Sequence, residues 1–371
     1  MSDSRFWVGS YTADAQAPGV GITALGSRPD GSLAGAGETP ADSPSFLTAH
    51  PTLPVIYAAL EHSGLVQAYH ARARAVRFGP ARASAASVCH LTVTADGALL
   101  VATGYGDGRV LAYPLGPDGA ILADAAEPPA SIDPHRSPFT GGELTGGPGP
   151  SSFTDLSLAS HVAEAAPARD SHAHASVELP DGRILTTDLG HDALRFWRRT
   201  GSGLALDRTL ALPLGVGPRH LITHPSGHVH VVTERSIEIF TLAPADAGNW
   251  RVVAAAPATA DGAEERDAAA EISRSAAGDR LYVGVRGSDR IVTLDVSGNG
   301  QTLRPIADTE SGGRWPRHHL LAGDLLHVAH EHSHAITTLR LDARGVPGRP
   351  IGIAEIGAPT CILADPVATP V

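Results

Sequence analysis

One pattern recurs along most of this chain and limits what it can fold into. A small or Pro-containing lead is followed by an apolar strand, a tight turn, a second apolar strand, a polar residue and a third strand. It reads PSFLTAHPTLPVIYAALEHSGLVQAYHA from Pro44, VCHLTVTADGALLVATGYGDGRVLAYPL from Val88 and HAHASVELPDGRILTTDLGHDALRFW from His172. It returns as PRHLITHPSGHVHVVTERSIEIFTL from Pro218, AAEISRSAAGDRLYVGVRGSDRIVTLDV from Ala269 and PRHHLLAGDLLHVAHEHSHAITTLRL from Pro316. The copies begin about 45 residues apart, and phased units of that length with several short strands each are the signature of a β-propeller. One interval is far longer. It holds a Pro-, Gly- and Ser-rich stretch at about 127–170, which reads as a loop insertion between units.

Six copies are complete and the termini supply a seventh. GAPTCILADP (357–366) matches the lead strand PSFLTAHP and then has no partner downstream, whereas RFWVGSYT near the N-terminus is the strand that should follow it. GVGITALGSR and GSLAGAGE complete that blade. The expectation is therefore an all-β, seven-bladed propeller of four-stranded antiparallel blades, a single domain over 1–371, with the last blade closed by N- and C-terminal strands. Such closure leaves no long sheet edge open. A β-sandwich or two tandem β-domains would not require one phase along the whole chain.

Composition narrows the partners. Acidic residues number 39 against 28 basic, a formal charge of -11, which argues against nucleic acid or an anionic membrane surface. No lysine occurs, so a Schiff-base lysine and a Walker A loop are excluded. Cys89 and Cys361 are too few for a disulfide framework or a Cys-rich zinc site, and Cys89 reads as a small buried hydrophobe. With neither a leader-like N-terminus nor a long apolar run, the expectation is a cytoplasmic protein without membrane partners, a monomer or weak homodimer.

Chemistry concentrates at strand ends. In GPRHLITHPSGHVHVVTE (217–234), a Pro-Ser-Gly turn makes a hairpin, which brings Arg219, His220 and Glu234 to the end opposite the turn. Across the repeat the equivalent lead positions are His172, His174, Arg317 and His318. The equivalent ends of second strands are Glu61, Tyr105, Asp188, Arg286 and Glu331. Propeller geometry should gather all of them around one mouth. A carboxylate or imidazole there can activate water, and guanidinium groups can stabilise an oxyanion or clamp an anion. Alternating histidines at 172 and 174, and at 330, 332 and 334, have metal-ligand spacing. The arginines make a metal unnecessary, so no metal or other cofactor is expected. Asn249 and Asn299 fall away from the mouth, and no G-x-S-x-G elbow occurs.

VGSYT, PSFLTAHP, HAHASVELPDG with TTDLG, GPRHLITHPSG with its Glu, AEISRSAAGDRLYVGVRGSD and the last PRHHL together resemble the bacterial seven-bladed β-propeller lactonase family. That family includes 6-phosphogluconolactonases and the related fungal carboxymuconate-lactonising cyclases. The likeness runs from Val8 to Pro366. It implies that His174, Arg219, Glu234 and Arg286 are catalytic; the other mouth positions, His172, His220, Tyr105, Glu61, Arg317, His318 and Glu331, are expected to bind a small anionic substrate. It also implies hydrolysis of a sugar lactone, foremost 6-phosphogluconolactone of the pentose phosphate pathway. A muconate-type lactonising cyclase and a non-catalytic metabolite- or protein-binding propeller remain as alternatives. The long insertion and the absence of lysine depart from the family's pattern and leave recognition of a phosphate open.

Overall fold

The computed structural model describes residues 4–126, 129–136, 168–201 and 203–366. Their strands form seven separate antiparallel sheets. Blade 1 runs outward from Pro359–Ala364 through Arg5–Ser10 and Gly21–Ser27 to Leu33–Pro40, so the C-terminal strand is innermost and the N-terminal strand is hydrogen-bonded to it. Val8 pairs with Ile362 and Phe6 with Ala364. The expected closure is therefore present. Blades 2 to 7 begin with inner strands Pro44–Ala49, Val88–Val93, Ala173–Glu178, Pro218–Thr223, Ala268–Arg274 and Pro316–Ala322. Each inner strand contacts those of the blades on either side, and the series closes on Pro359–Ala364.

Six sheets have four strands, and blade 3 has three among the described residues. Helical structure among those residues is limited to three single 3-10 turns, none long and apolar enough to cross a membrane. Most of the 127–170 stretch lies outside the described residues. Its described ends, 129–136 and 168–170, dock on blade 4.

Burial explains the residue pattern. Second strands such as Val55–Leu60 and Leu99–Gly104 are buried at every position because both faces pack on neighbouring blades, whereas outer strands such as Ala75–Ala83 are mostly exposed. Large side chains fill the wedges between blades: Trp7 and Tyr69 between blades 1 and 2, Phe196 and Trp250 between blades 4 and 5. Three buried tyrosines donate to carbonyls on an adjoining blade, Tyr57 to Gly119 at 2.7 Å, Tyr113 to Ala83 at 2.7 Å and Tyr282 to Gly345 at 2.8 Å. A buried phenol needs such a partner, and here the partner also fixes one blade against the next.

All seven inner strands slip register near the same end. The slips fall at Pro44/Phe46, Val88/His90, Ala173/Ser176, Pro218/His220, Ala269/Ile272 and Pro316/His318, and in blade 1 opposite Gly9/Ser10. An extra residue bends the strand and re-aims a side chain. In blades 5 and 7 the inserted residue is an arginine, Arg219 and Arg317. The bulges thus set what faces the mouth.

Candidate active site

The hairpin of blade 5 closes as its sequence requires. The Glu234 N–H donates to the Gly217 carbonyl at 2.7 Å, so the carboxylate stands beside the bulge that carries Arg219. Arg286, the last residue of the second strand of blade 6, donates from Nη2 to Glu234 Oε2 at 2.7 Å. Arg219 Nε lies 3.0 Å from the same oxygen but out of line for a hydrogen bond, and neither its Nε nor its Nη1 has a hydrogen-bond partner among the described residues. Arg286 also donates to the carbonyls of Ala268 and Ala269, and its guanidinium sits 5.2 Å from the Trp315 ring centroid. Arg219 is 3% exposed and Arg286 7%. These are buried cations, not wet strand ends.

A second cluster follows on blade 7. Arg317 donates to Glu331 Oε2 at 3.0 Å and to the Tyr11 hydroxyl at 2.7 Å, and that hydroxyl donates to Glu61 at 2.9 Å. Glu61 and Glu331 therefore act first as counter-ions of Arg317. Burial works against the Arg317 cation, but Tyr11, Glu331 and Glu61 outweigh it and raise its pKa. Arg219 is less well compensated. Burial and the neighbouring Arg286 bring it down to about 10, against the opposing pull of Glu234 and Glu271. Burial alone would raise Glu234, yet Arg286 and Arg219 hold it below the usual carboxylate value.

Histidines occupy the inner wall. His174 is 6% exposed, and its Nδ1 has no partner among the described residues. Its ring lies 5.1 Å from that of His220 and 6.2 Å from Tyr105. Burial, then Arg219, holds His174 well below the ordinary histidine range, so it is a neutral acceptor at neutral pH. His220 is neutral for the same reasons. His220 does not join Glu234 as the hairpin suggested. The bulge turns it toward blade 6, where Nδ1 stands 2.8 Å from Glu271 Oε2. The same oxygen is 3.5 Å from His318 Nε2.

Other expected members sit elsewhere. His172 precedes the strand, stacks on Tyr105 at 4.4 Å and reaches the Tyr105 carbonyl through Nδ1, so it does not share a face with His174. Tyr105 and His172 belong to the rim. Asp188 faces away from the mouth. It is 2% exposed, pairs with Arg195 at 2.9 Å and accepts the N–H groups of His172 and His191. His330 is buried against Ser311, while His332 is half exposed and stacks on Trp315, so the alternating histidines diverge. Among the described residues no group of three or more His, Cys, Asp or Glu is arranged to hold a metal.

Sequence reasoning missed Glu271, Trp315, Tyr11 and His90. Glu271 lies at the register slip of AAEIS, at the position where PRH carries its histidine, so aligning the copies on the bulge would have marked it.

The assembled site offers a buried guanidinium with unused donors, an adjacent carboxylate shared by two arginines and a neutral imidazole. It can neutralise an anion, polarise a carbonyl and hold a proton.

Known proteins agree with this architecture. At 25% identity the chain is similar to the 6-phosphogluconolactonase of Bacillus subtilis, in a match of 234 residues covering 62% of this chain and 59% of that protein. An uncharacterised protein of Lactococcus lactis is 33% identical over 40% of this chain and 44% of its own. The chain thus spans less than two thirds of the length of these curated relatives. Among solved structures, the periplasmic gluconolactonase of Pseudomonas aeruginosa superposes with a TM-score of 0.81 at 22% identity, over 98% of this chain and 99% of that one. A Lactobacillus plantarum protein does so with a TM-score of 0.78 at 20% identity, over 98% and 99%. At such identities the likeness is one of fold. The family profile described as "Lactonase, 7-bladed beta-propeller" matches residues 5–364, nearly the whole chain, and the protein belongs to that family.

Proposed function

We propose that the chain hydrolyses a sugar lactone at the mouth of the ring, with 6-phosphogluconolactone as the first candidate substrate. One observation carries this reading. Arg219 is buried beside Glu234 and His174 with donors that no described residue uses, and a buried donor left unused costs stability unless a ligand takes it. A lactone carbonyl oxygen is such a ligand, because it gains negative charge as water adds. The similarity to the Bacillus subtilis 6-phosphogluconolactonase supports the same class of substrate.

The chemistry balances without further reagents. Water forms a bond to the carbonyl carbon and gives up a proton to His174 or Glu234. The tetrahedral intermediate then expels the ring oxygen, which takes that proton to become a hydroxyl. The product is an open hydroxy acid, ionised at neutral pH. In the free site both acceptors are weak bases, His174 through burial and Arg219, Glu234 because the two arginines outweigh its burial. An anionic substrate group seated on Arg286 or Arg317 offsets those cations and raises both proton affinities. Binding and base activation are then coupled, which favours a phosphorylated or carboxylated lactone over a neutral one.

The test is acid release measured in a pH-stat with a panel of phosphorylated and plain aldonolactones, with and without EDTA. The reading predicts one proton per lactone, faster turnover of the phosphorylated member, and no effect of EDTA because Arg219 is the electrophile. Tight binding of sugar acids with no turnover would instead make this a binding propeller. Ring closure of a muconate-type diacid as the sole reaction would make it a cyclase.

A further inference from the structure

Glu271 is a carboxylate on the inner strand of blade 6, its side chain 13% exposed, with no role in the reading above. Its Oε2 has no in-line hydrogen bond among the described residues, and two imidazole nitrogens stand beside it. The neighbours decide which nitrogens carry hydrogen. His318 Nδ1 accepts the Ile362 N–H at 3.3 Å, and burial keeps His318 neutral with a pKa of about 4, so its one proton is on Nε2. That Nε2 is the atom 3.5 Å from Glu271. His220 Nδ1, 2.8 Å from the same oxygen, is favoured as an N–H, since a carboxylate charge at that distance attracts the proton and repels a nitrogen lone pair. A neutral His220 then has its lone pair on Nε2. Its ring neighbours are His174 at 5.1 Å and His90 at 5.4 Å.

We propose that Glu271 is a positioning residue for lactone opening, acting through His220. Its charge, 2.8 Å from His220 Nδ1, favours the hydrogen on that nitrogen and so leaves the ring a proton acceptor through Nε2 beside His174. When His174 takes the proton of the attacking water, the adjacent His220 lone pair and the Glu271 charge behind it stabilise the imidazolium until the leaving ring oxygen receives the proton. The charges that oppose this imidazolium are Arg219 on the neighbouring inner strand and Arg317 of blade 7. Arg219, Arg317, Arg286 and His319 press on His220 in the same sense. Glu271 is the carboxylate within hydrogen-bonding distance of His220. This assignment rests on the lactonase reading for its consequence, but not for its geometry.

Two measurements test it. Nitrogen-15 NMR of the imidazoles in the intact protein should show His220 protonated at Nδ1 and unprotonated at Nε2. In Glu271→Gln that preference should be lost, kcat should fall about 10- to 100-fold and KM should change by less than about threefold. With the carboxylate gone the imidazolium loses support, so the acid limb of the kcat/KM profile should move to lower pH. Glu271→Asp should recover part of both effects. A wild-type His220 protonated at Nε2 would overturn the proposal, whatever becomes of the variants. So would a folded Glu271→Gln with wild-type kcat and an unmoved acid limb. If His220 has the expected tautomer but the wild type opens no lactone, the hydrolytic reading fails and the Glu271–His220 pairing stands.

Discussion

Arg219 and Arg286 are two buried cations that share one oxygen of Glu234. That arrangement makes Glu234 a structural counter-ion as well as a candidate base. Removing one partner of a buried ion pair leaves the other uncompensated, at a cost of about 3–5 kcal/mol in a fully buried setting. Glu234 keeps 24% side-chain exposure, so solvent reduces that cost. Glu234→Gln is therefore expected to lower the melting temperature as well as kcat, the latter by about 10²–10⁴-fold. Kinetics taken well below the new midpoint, with circular dichroism to confirm folding, separate the two effects. A variant with unchanged kcat would remove Glu234 from the chemistry. The hairpin pattern was enough to place Arg219 next to Glu234. It could not show that both arginines are buried, because strand ends usually face solvent and the bulge that turns Arg219 inward leaves no periodic trace. Aligning the copies marks the position of Glu271 but not its meaning, which comes from His220 and His318 on neighbouring blades, each about 50 residues away, near the repeat period.

At the scale of elements, motif residues explain themselves by close approach. A Cβ on Gly9 of VGSYT would lie 2.0 Å from the Pro44 carbonyl oxygen, so the N-terminal strand can seat against the inner strand of blade 2 only with glycine there. Gly9→Ala should cost about 1–3 kcal/mol, read as a lower urea midpoint with an unchanged m-value. A midpoint equal to wild type would mean that the strand sits elsewhere. The insertion calls for a sharper boundary than its sequence suggested. Arg169 pairs with Asp133 at 2.7 Å and with the buried Asp192 at 2.5 Å, while Arg195 donates to the Ile132 carbonyl at 3.2 Å. Composition marked the whole stretch as loop, yet its two described ends are tied to blade 4. Replacing 137–167 with a Gly/Ser linker should leave the melting temperature intact. Replacing all of 127–170 should lower it, because Asp192 then keeps a buried charge without Arg169. Equal melting temperatures for the two deletions would show that these ion pairs contribute nothing.

For the molecule as a whole, the buried histidines set the response to acid. Burial holds His318, His319, His327 and His330 at about 4 and His230 at about 3, against an unfolded value near 6.5. Between those values the unfolded chain binds more protons than the folded one, so stability is complete above about pH 6.5 and is lost as pH falls toward 4. Each such group contributes up to about 1.4 kcal/mol per pH unit within that window. Urea midpoints measured from pH 7 to 4.5 should drop steeply, and a flat profile would show that these rings are solvated. Blade number and ring closure were legible because a phased repeat with split ends admits few other architectures. The electrostatics were not, since 19 histidines give no sign in sequence of which ones the ring buries.

The claim at the centre of this account is that the unused donors of Arg219 receive the oxygen of a lactone as it becomes an oxyanion. It is tested most directly by acid release from the preferred aldonolactone with wild type and Arg219→Ala side by side. The account predicts stoichiometric acid release by wild type and a fall of about 10²–10³-fold in kcat for the variant at a temperature where it remains folded. A folded Arg219→Ala that opens the lactone at the wild-type rate would contradict it.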